Sequence, residues 1–313
     1  MRVLLTGTSG NLGSRVLHSL LHYSLIPTSD LVVSTRSPHK IAAVAKQNSI
    51  HLVSGDFTDP ASLNSSFAES NADILFLVSF PSPSVDRWLH HKNAIDAAKQ
   101  SGCIKLIVYT SLMFGGETGM SSVAGVQQAH IRTVGYLAGC GLDYLVVREG
   151  IYAESWWLYA GFQSRTIAES GEPLTFVIPN DGPVAWVTWD DLGEGTARIL
   201  AKLVQGERQW IGKTLNLTGP RTATITDIAR LVERYSGRTV EVKCVGKEEA
   251  ERYHLRDGKK EEWLVNSWVG WFDAIRDGEC AVVDSLLEEL LGRPPRGVEE
   301  LAEEMFAVVG PQQ

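Results

Sequence analysis

The sequence predicts an α/β protein built on a doubly wound parallel sheet, followed by a smaller α+β lobe. Short apolar runs without polar alternation, which are typical of strands covered on both faces, alternate with longer helical stretches. Strands that alternate with helices in this way indicate βαβ units and hence a parallel sheet. The runs that carry this prediction are residues 2–6, 31–33, 51–53, 73–78, 105–109 and 144–147, and the clearest helix extends from Asp86 to Ser101 and is stopped by Gly102.

The amino-acid composition and the pattern of predicted elements change after Gly150. Residues 152–162 are rich in aromatic side chains, and prolines and glycines mark loops between 173 and 183. One more strand is predicted at 214–218, with helices around 192–204, 224–236, 286–291 and 298–306. No linker-like stretch separates the halves. We therefore expect residues 1–150 to form a cofactor-binding domain and residues 151–313 to form a substrate-binding lobe that packs on the sheet and does not fold independently.

Composition excludes several classes of protein. The 313-residue chain has a net charge of −8 and is 44% hydrophobic, and an acidic chain without clustered basic residues does not predict a nucleic-acid-binding surface. No apolar run approaches the ~20 residues of a membrane helix, and the first strand follows Met1 directly, which leaves no room for a signal peptide. The four cysteines are scattered, so we expect reduced thiols and no metal site. These features predict a soluble, cytoplasmic protein that acts on a small molecule, and they leave its oligomeric state open.

A glycine-rich turn joins the first strand to the first helix. Glycines permit a tight turn and let the backbone approach a pyrophosphate, and the helix N-terminus supplies free N–H groups and a partial positive charge. The spacing is GxxGxxG, and its position between strand and helix makes it specific, although a βα turn without a ligand is the alternative. We therefore predict a Rossmann-type dinucleotide site with cofactor contacts from Gly7, Thr8, Gly10, Asn11, Leu12 and Gly13.

The end of the second strand distinguishes NADP(H) from NAD(H). NAD-binding proteins place an acid there for the ribose hydroxyls, but here Asp30 precedes the strand, and Arg36 and Lys40 follow it. An arginine and a nearby hydroxyl suit a 2′-phosphate, so NADP(H) is the predicted cofactor, with solvated loop charges at Arg36 and Lys40 as the alternative. After the third strand, Asp56 and Phe57 are predicted to contact the adenine, and Asp56 can equally be a turn residue.

Several longer strings resemble the NmrA-like atypical short-chain dehydrogenase/reductases. Beside the glycine turn they are HKNAIDAAK at 91–99, VYTSL at 108–112 and VREGIY at 147–152. Residues 148–155, 158–162 and 185–196 are similar to fungal members of the averufin oxidase type, which are encoded in aromatic polyketide clusters. The resemblance covers nearly the whole chain. It implies a fungal cytoplasmic protein that handles a polyphenolic polyketide.

The catalytic pair of ordinary short-chain dehydrogenases is missing. Those enzymes use Tyr-x-x-x-Lys, in which the lysine favours the tyrosinate that exchanges a proton with the carbonyl oxygen. Many NmrA-like enzymes instead carry His-x-x-Thr-Glu-Lys. Here His130 and Thr133 match that pattern, while Val134 and Gly135 replace the glutamate and the lysine. This departure argues against ordinary carbonyl reduction.

Four polar residues remain as catalytic candidates near the expected nicotinamide. Side chains at the carboxyl ends of strands face the ligand crevice in this fold, and Tyr109 and Ser111 lie at such an end. His130 can exchange a proton near neutral pH, and Tyr152 follows the next strand. The alternatives are a turn role for Ser111, capping or packing for His130, and a place in the core for Tyr109. We predict that one or more of these four residues polarise the substrate oxygen.

Aromatic side chains after Gly150 predict a site for a planar ligand. Tyr152, Trp156 and Tyr159 are spaced i, i+4 and i+7, so a helix would place them on one face, where they could stack on a polycyclic substrate. The alternative is that the tryptophans join the lobe to the sheet. We predict core packing for Trp268 and Trp271. The predicted substrate contacts are Tyr152, Trp156, Trp157, Tyr159, Phe162 and Trp186.

Three functions fit these patterns. The first is an NADP(H)-dependent oxidoreductase that acts on an aromatic polyketide, such as an anthraquinone or a related quinone. The second is a catalyst without net redox chemistry that rearranges, dehydrates or cyclises the same class of substrate. The third is a dinucleotide-sensing regulator, which needs no catalytic residues.

Overall fold

The computed structural model of the protein describes residues 1–82, 87–167 and 172–307. Within these ranges the strands form a seven-stranded sheet and a two-stranded sheet. The strands are β1 (Val3–Leu5), β2 (Leu31–Thr35), β3 (His51–Ser54), β4 (Ile74–Leu77), β5 (Leu106–Leu112), β6 (Asp143–Glu149), β7 (Leu174–Ile178), β8 (Thr214–Leu217) and β9 (Val240–Cys244).

The helices cover both faces of the large sheet and fill the second lobe. The helix predicted from Asp86 begins at Arg87 in the structure, and Asp86 itself lies outside the described residues. Within the described ranges, none of the helices has the length and apolar character needed to cross a membrane. The α-helices are α1 (Asn11–His22), α2 (Ala42–Gln47), α3 (Pro60–Ser70), α4 (Arg87–Ser101), α5 (Gly125–Gly139), α6 (Trp156–Tyr159), α7 (Trp189–Val204), α8 (Ile225–Ser236), α9 (Lys247–Leu255), α10 (Glu262–Arg276), α11 (Leu286–Leu291) and α12 (Val298–Phe306).

The large sheet has the strand order β3-β2-β1-β4-β5-β6-β8, and every neighbouring pair is parallel. The chain moves outward from β1 through β2 and β3, and then crosses to β4 on the other side of β1. The strand order reverses between β1 and β4, and a crevice at the carboxyl ends of such strands is the usual ligand site of this fold. The predicted doubly wound parallel sheet is confirmed.

Residues after Gly150 contribute to two apolar cores. The strand β8 and the helices α7 and α11 join the core of the large sheet, where α7 packs on α1. The parallel pair of β7 and β9 packs with the helices α8, α10 and α12 around a second core, which includes Trp268 and Phe306. After β7 the chain returns to the large sheet as β8, so residues beyond 150 belong to both cores. The predicted boundary between two domains at residue 150 therefore stays a prediction.

Arg148 on β6 is a buried cation that fixes the loop after β5. Its guanidinium donates hydrogen bonds to backbone carbonyls of residues 112, 114, 116 and 117 and to the side chain of Asn216, at 2.7–3.1 Å. A Cβ at Gly119 would lie 2.5 Å from Arg148 Nε, so this loop position requires glycine. From the second lobe, Glu279 accepts hydrogen bonds from the N–H groups of Gly115 and Val123. The loop is therefore held from both sides.

The neighbouring residue, Glu149, is a buried acid of which only one carboxyl oxygen has a described hydrogen-bond partner. Thr196 Oγ1 donates to Glu149 Oε1 at 3.0 Å, while Glu149 Oε2 has no hydrogen-bond partner among the described residues. Burial raises the pKa of Glu149 to about 8. The folded protein therefore holds this carboxyl protonated up to a higher pH than the unfolded chain does.

We expect Glu149→Gln to stabilise the protein above pH 8 and to change its stability little near pH 5. A raised folded-state pKa contributes stability that is present below the unfolded value and is lost as the pH rises through about 8. Glutamine keeps the hydrogen bond to Thr196 but carries no charge. The difference in unfolding free energy should grow by on the order of 2–4 kcal/mol between pH 5 and pH 9, measured by urea unfolding. The exposed Glu248→Gln is the control, and a pH-independent difference for Glu149→Gln would contradict the expectation.

Candidate active site

The glycine turn after β1 has the geometry of a dinucleotide-binding loop. Gly7 has a φ of +68°, and the turn that it begins is closed by a hydrogen bond from Gly10 N to Gly7 O at 2.9 Å. A Cβ at Gly7 would lie 2.7 Å from the Val78 side chain, and a Cβ at Gly13 would lie 2.3 Å from Gly7 O. Glycine is therefore required at both positions, for the turn and for the close approach of α1 to β1.

The start of α1 suits an anion. Gly10 caps the helix without a side-chain hydrogen bond, and the described first turn holds no acidic residue. Thr8 Oγ1 is buried and has no partner among the described residues. Asn11 is exposed at the helix start. A pyrophosphate at this position would meet free N–H groups and the hydroxyl of Thr8, so the residues present fit a dinucleotide.

The residues after β2 and β3 form the second edge of this site. Arg36 and Lys40 are exposed, as a contact to a 2′-phosphate requires. Asp56 accepts hydrogen bonds from Thr58 N at 2.9 Å and Thr58 Oγ1 at 2.8 Å, so the structure gives it the turn role. Burial acts to raise the pKa of Asp56, but the Thr58 hydrogen bonds and the Arg36 charge hold it below its ordinary value. The adenine contacts of Asp56 and Phe57 stay predictions.

A cavity of about 400 Å³ opens beside the glycine turn. It lies at the carboxyl ends of β4, β5 and β6, where ligands bind in doubly wound folds, and α10 closes its far side. Leu12 and Val78 place it next to the predicted cofactor site. The remaining lining residues are mostly apolar or carry hydroxyl groups: Ser79, Pro81, Arg87, Thr110, Ser111, Leu112, Phe114, Val126, Gly150, Ile151, Tyr152, Ser155, Leu158, Tyr159 and Trp271.

The structure separates the four catalytic candidates into two pairs. Ser111 and Tyr152 line the cavity. Tyr109 and His130 are fully buried behind it, where α4 and α5 cover the end of β5, and Tyr109 Oη lies 2.7 Å from His130 Nδ1. Burial raises the pKa of both tyrosines and lowers that of His130 well below its ordinary value. The prediction that Tyr109 and His130 contact the substrate is therefore corrected: they belong to a buried network.

Arg87 connects that network to the cavity. Arg87 Nη1 lies 2.9 Å from His130 Nε2, and Arg87 also lines the cavity. It carries the only formal charge among the described lining residues. Arg87 lies in the helix predicted from Asp86, and the sequence pattern alone assigns it no functional role. Its position at the start of the helix after β4, on the crevice side of the sheet, is the signal that could have identified it.

Comparison with known proteins identifies the family. A protein-family profile described as NAD(P)H-binding matches residues 7–155. The NmrA-like family domain-containing oxidoreductase flvB of Aspergillus flavus is 31% identical to this chain over 311 residues, which cover 94% of the chain and 92% of flvB. The chain belongs to the NmrA-like family. The predicted family and its nicotinamide dinucleotide site are thus confirmed, while the averufin oxidase subgroup stays a prediction.

This NmrA-like protein is also similar to a quinone oxidoreductase, and it shares its fold with a second solved enzyme. Quinone oxidoreductase 2 of Escherichia coli is 29% identical, over 98% of this chain and 99% of that protein. The crystal structure of the NADPH-dependent quinone oxidoreductase QOR2 of E. coli complexed with NADPH has a TM-score of 0.82 and 27% identity, and covers 97% of this chain and 99% of that one. The Citrobacter sp. triphenylmethane reductase complexed with NADP(H) shares the fold, with a TM-score of 0.80 at 24% identity, over 98% of this chain and all of that one.

Of the aromatic residues predicted to contact the substrate in this NmrA-like protein, two line the cavity and four do not. The segment after Gly150 is a 3₁₀ turn, Ala153–Ser155, followed by the four-residue α6, so the i, i+4, i+7 spacing does not give one continuous face. Tyr152 and Tyr159 line the cavity. Trp156 instead is buried against Phe176 and Phe306 in the second core.

Three further predicted substrate contacts also lie outside this cavity's lining. Trp186 is buried and donates from Nε1 to Ala223 O at 2.9 Å, so it packs the lobe. Trp157 lies under the Arg165 guanidinium, 4.7 Å from the ring centre. Phe162 packs on Trp268 at 4.8 Å between ring centres. Packing within the lobe, rather than ligand contact, accounts for the positions of these side chains.

Trp271 is predicted to lie in the core, but the structure places it in the cavity wall. The sequence predicts core packing for Trp268 and Trp271, and Trp268 does lie in the core, where its Nε1 donates to Leu158 O at 2.9 Å. Trp271 also packs at the edge of that core, but it lines the cavity, and its Nε1 is buried without a partner among the described residues. Trp271 thus combines a side chain at the cavity wall with a buried indole N–H that no described group accepts.

We expect Trp156→Ala to lower stability and to leave ligand affinity almost unchanged. Removing a buried indole leaves a cavity and costs about 3–5 kcal/mol of unfolding free energy. The dissociation constant of a polycyclic quinone should change less than about threefold, because Trp156 does not line the cavity. Urea unfolding and fluorescence titration measure the two quantities, with the exposed Trp263→Ala as control. Unchanged stability with a much weaker quinone complex would restore Trp156 to the binding site.

Proposed function

We propose that this NmrA-like protein is an NADPH-dependent oxidoreductase that reduces a polycyclic aromatic quinone of the aromatic polyketide class. The observation that carries the proposal is the position of the cavity. It begins at Leu12 and Val78, beside the glycine turn, and extends to Tyr159 and Trp271 in the second lobe. Its volume of about 400 Å³ is within the range of small-molecule sites, and its walls are mainly apolar, as a planar aromatic ligand requires.

NADPH is the proposed cofactor, and it supplies a hydride when bound. The N–H groups at the start of α1 and the Thr8 hydroxyl would hold the pyrophosphate, and Arg36 would meet the 2′-phosphate. The solved E. coli relative is described as NADPH-dependent and was complexed with NADPH. The hydroxyls of Ser111 and Tyr152 are available to a substrate oxygen, and the side chains of Leu112 and Phe114 exclude water from the reacting face.

The proposed substrate class rests on the relatives and on the cavity wall. The E. coli relative is named as a quinone oxidoreductase, both as a sequence and as a solved structure, and flvB is named as an oxidoreductase. Tyr152, Tyr159 and Trp271 supply aromatic surface on which a polycyclic ring system could stack. The proposed biological setting is fungal secondary metabolism, and it is supported by the fungal relative and by the strings similar to averufin oxidase-type proteins.

The alternative without net redox chemistry was motivated by the glycine in place of lysine at 135. Gly135 is exposed on α5, and it does not belong to the lining of this cavity. The glycine that replaces the lysine therefore leaves the cavity unaltered. It no longer supports the hypothesis of a catalyst without net redox chemistry. The regulator hypothesis needs no substrate cavity, and the cavity beside the predicted cofactor site therefore favours an enzyme.

The reaction is tested by following NADPH absorbance with a panel of quinones that range from benzoquinone to hydroxyanthraquinones. We expect NADPH oxidation that depends on a polycyclic quinone and yields one hydroquinone for each NADPH consumed. Conversion of the aromatic compound without NADPH oxidation would favour the non-redox alternative. Silence across the panel, with NADPH shown by calorimetry to bind, would contradict the proposed reaction and favour the regulator.

We expect Arg36→Glu to weaken NADPH binding by about 10–100-fold and NADH binding by much less. A carboxylate repels the 2′-phosphate but suits free ribose hydroxyls, and a charge-assisted contact contributes on the order of 1.5–3 kcal/mol. Titration calorimetry with both cofactors measures the change. The exposed Lys46→Glu on α2 makes the same change of charge nearby and serves as the control. Equal weakening for both cofactors would mean that Arg36 does not recognise the phosphate.

A further inference from the structure

Arg87 is a cation without a charged partner in the part of the chain that the structure describes. It is partly buried, it lines the cavity, and no ion pair joins it to a carboxylate of the described residues. Its Nε is buried and has no hydrogen-bond partner among the described residues. Burial lowers the pKa of Arg87 from its ordinary value, although not enough to discharge a guanidinium near neutral pH. A guanidinium at a cavity wall that has no carboxylate partner is costly unless a ligand supplies an acceptor.

The hydrogen-bond partner of Arg87 determines the protonation of His130. A guanidinium can only donate, so Arg87 Nη1 donates to His130 Nε2, at 2.9 Å. A neutral imidazole whose Nε2 accepts carries its proton on Nδ1, and His130 Nδ1 therefore donates to Tyr109 Oη at 2.7 Å. Burial and the Arg87 charge lower the pKa of His130 well below its ordinary value, which agrees with a neutral ring. His130 thus has no proton to give to the cavity.

The second imidazole is fixed in the same way. Phe80 N donates to His91 Nε2 at 2.9 Å, so His91 carries its proton on Nδ1 and donates to Thr133 Oγ1 at 2.8 Å. Thr133 in turn donates to Ala129 O at 2.7 Å. Burial lowers the pKa of His91 to about 3, so this ring is also neutral. The network is a rigid support for Arg87 and not a source of protons.

We infer that Arg87 binds the reacting oxygen of the substrate, and that His130 positions the guanidinium. This inference rests on the proposed function and specifies its substrate class: acceptors whose reduced form is a stabilised, phenol-type anion, such as quinones. Arg87 is then the residue that takes the place of the absent Tyr-x-x-x-Lys pair. Simple ketones fall outside this class.

The difference between the two classes lies in the basicity of the oxygen after hydride transfer. Reduction of a quinone adds one hydride and one proton and gives a hydroquinone, with NADPH oxidised to NADP⁺. The hydroquinone anion resembles the tyrosine phenolate, with a pKa of about 10, so a fixed positive charge can hold it until water supplies the proton. An alkoxide from a simple ketone is about as basic as hydroxide, for which the pKa of water is ~15.7, and it requires a proton donor in the transfer step. Arg87, which does not readily release a proton, suits the first case alone.

The test uses the acidity of a bound dye and needs neither NADPH nor turnover. Alizarin, a dihydroxyanthraquinone, changes its visible absorption when its phenol ionises. The described titratable groups that face or flank the cavity are Arg87, Tyr152 and Tyr159, with Glu149 and Glu154 near Tyr152. Of these, only Arg87 favours the dye anion. We expect the bound dye to ionise at least about one pH unit below the free dye, and this shift to disappear in Arg87→Met.

Control variants separate the substrate contact from other roles of Arg87. Lys99→Met removes one exposed positive charge from the same helix and should keep the full shift. Arg87→Lys should keep part of it. His130→Gln, which retains an acceptor for Arg87, should keep more of the shift than His130→Leu, as a positioning role requires. Calorimetry with NADPH should give the same affinity for Arg87→Met as for the unchanged protein.

Three outcomes would overturn the inference. They are an equal ionisation midpoint in the unchanged protein and Arg87→Met, a dye that does not bind in the cavity, and a loss of NADPH affinity in Arg87→Met with the dye midpoint unmoved. The last would assign Arg87 to the cofactor. A preserved dye shift in a protein that does not oxidise NADPH with any quinone would contradict the proposed function while leaving the Arg87 site in place, so the two failures are distinguishable.

Discussion

The arrangement of the site depends on one buried cation, Arg148. No carboxylate of the described residues neutralises it, and backbone carbonyls together with the Asn216 amide oxygen satisfy its donors instead. Those carbonyls belong to residues 112–117, so the cost of burying the guanidinium is offset only when this loop adopts one conformation. Leu112 and Phe114 on the same loop form part of the cavity wall. The shape of the cavity therefore depends on the hydrogen bonds that the loop carbonyls accept from Arg148.

Arg148 and Arg87 show two uses of a buried guanidinium in one site. Burial lowers the pKa of Arg148 to about 10, and its donors are nonetheless occupied by the protein. Arg87 lines the cavity and has one described side-chain partner, His130, and no described carboxylate beside it. Arg148 fixes the loop that forms part of the cavity wall, whereas Arg87 has hydrogen-bond donors that no described residue occupies. A partly unsatisfied polar group in an otherwise satisfied interior marks the place where a ligand completes the hydrogen bonding.

The second lobe contributes to the site mainly through its packing. Trp156, Trp186 and Trp268 fill the core between β7 and the helices around it, which fixes the position of α10. That position brings Trp271 to the cavity, and none of the described groups accepts from its indole N–H. Most of the aromatic side chains after Gly150 thus stabilise the lobe. A smaller group lines the cavity, namely Tyr152, Tyr159 and Trp271.

The sequence by itself determined the doubly wound sheet and the dinucleotide turn, because both depend on local rules. Apolar runs without alternation specify buried parallel strands, and glycine at 7 and 13 is required by a positive φ and by close backbone contact. Only the tertiary structure decided which polar and aromatic groups reach the cavity. The helix expected through Trp156 is a 3₁₀ turn followed by a four-residue helix, so its spacing did not specify a face. Arg87, His130 and Tyr109 are far apart in sequence, and their order from cavity to core depends on how α4 and α5 pack over β5, which no local pattern records.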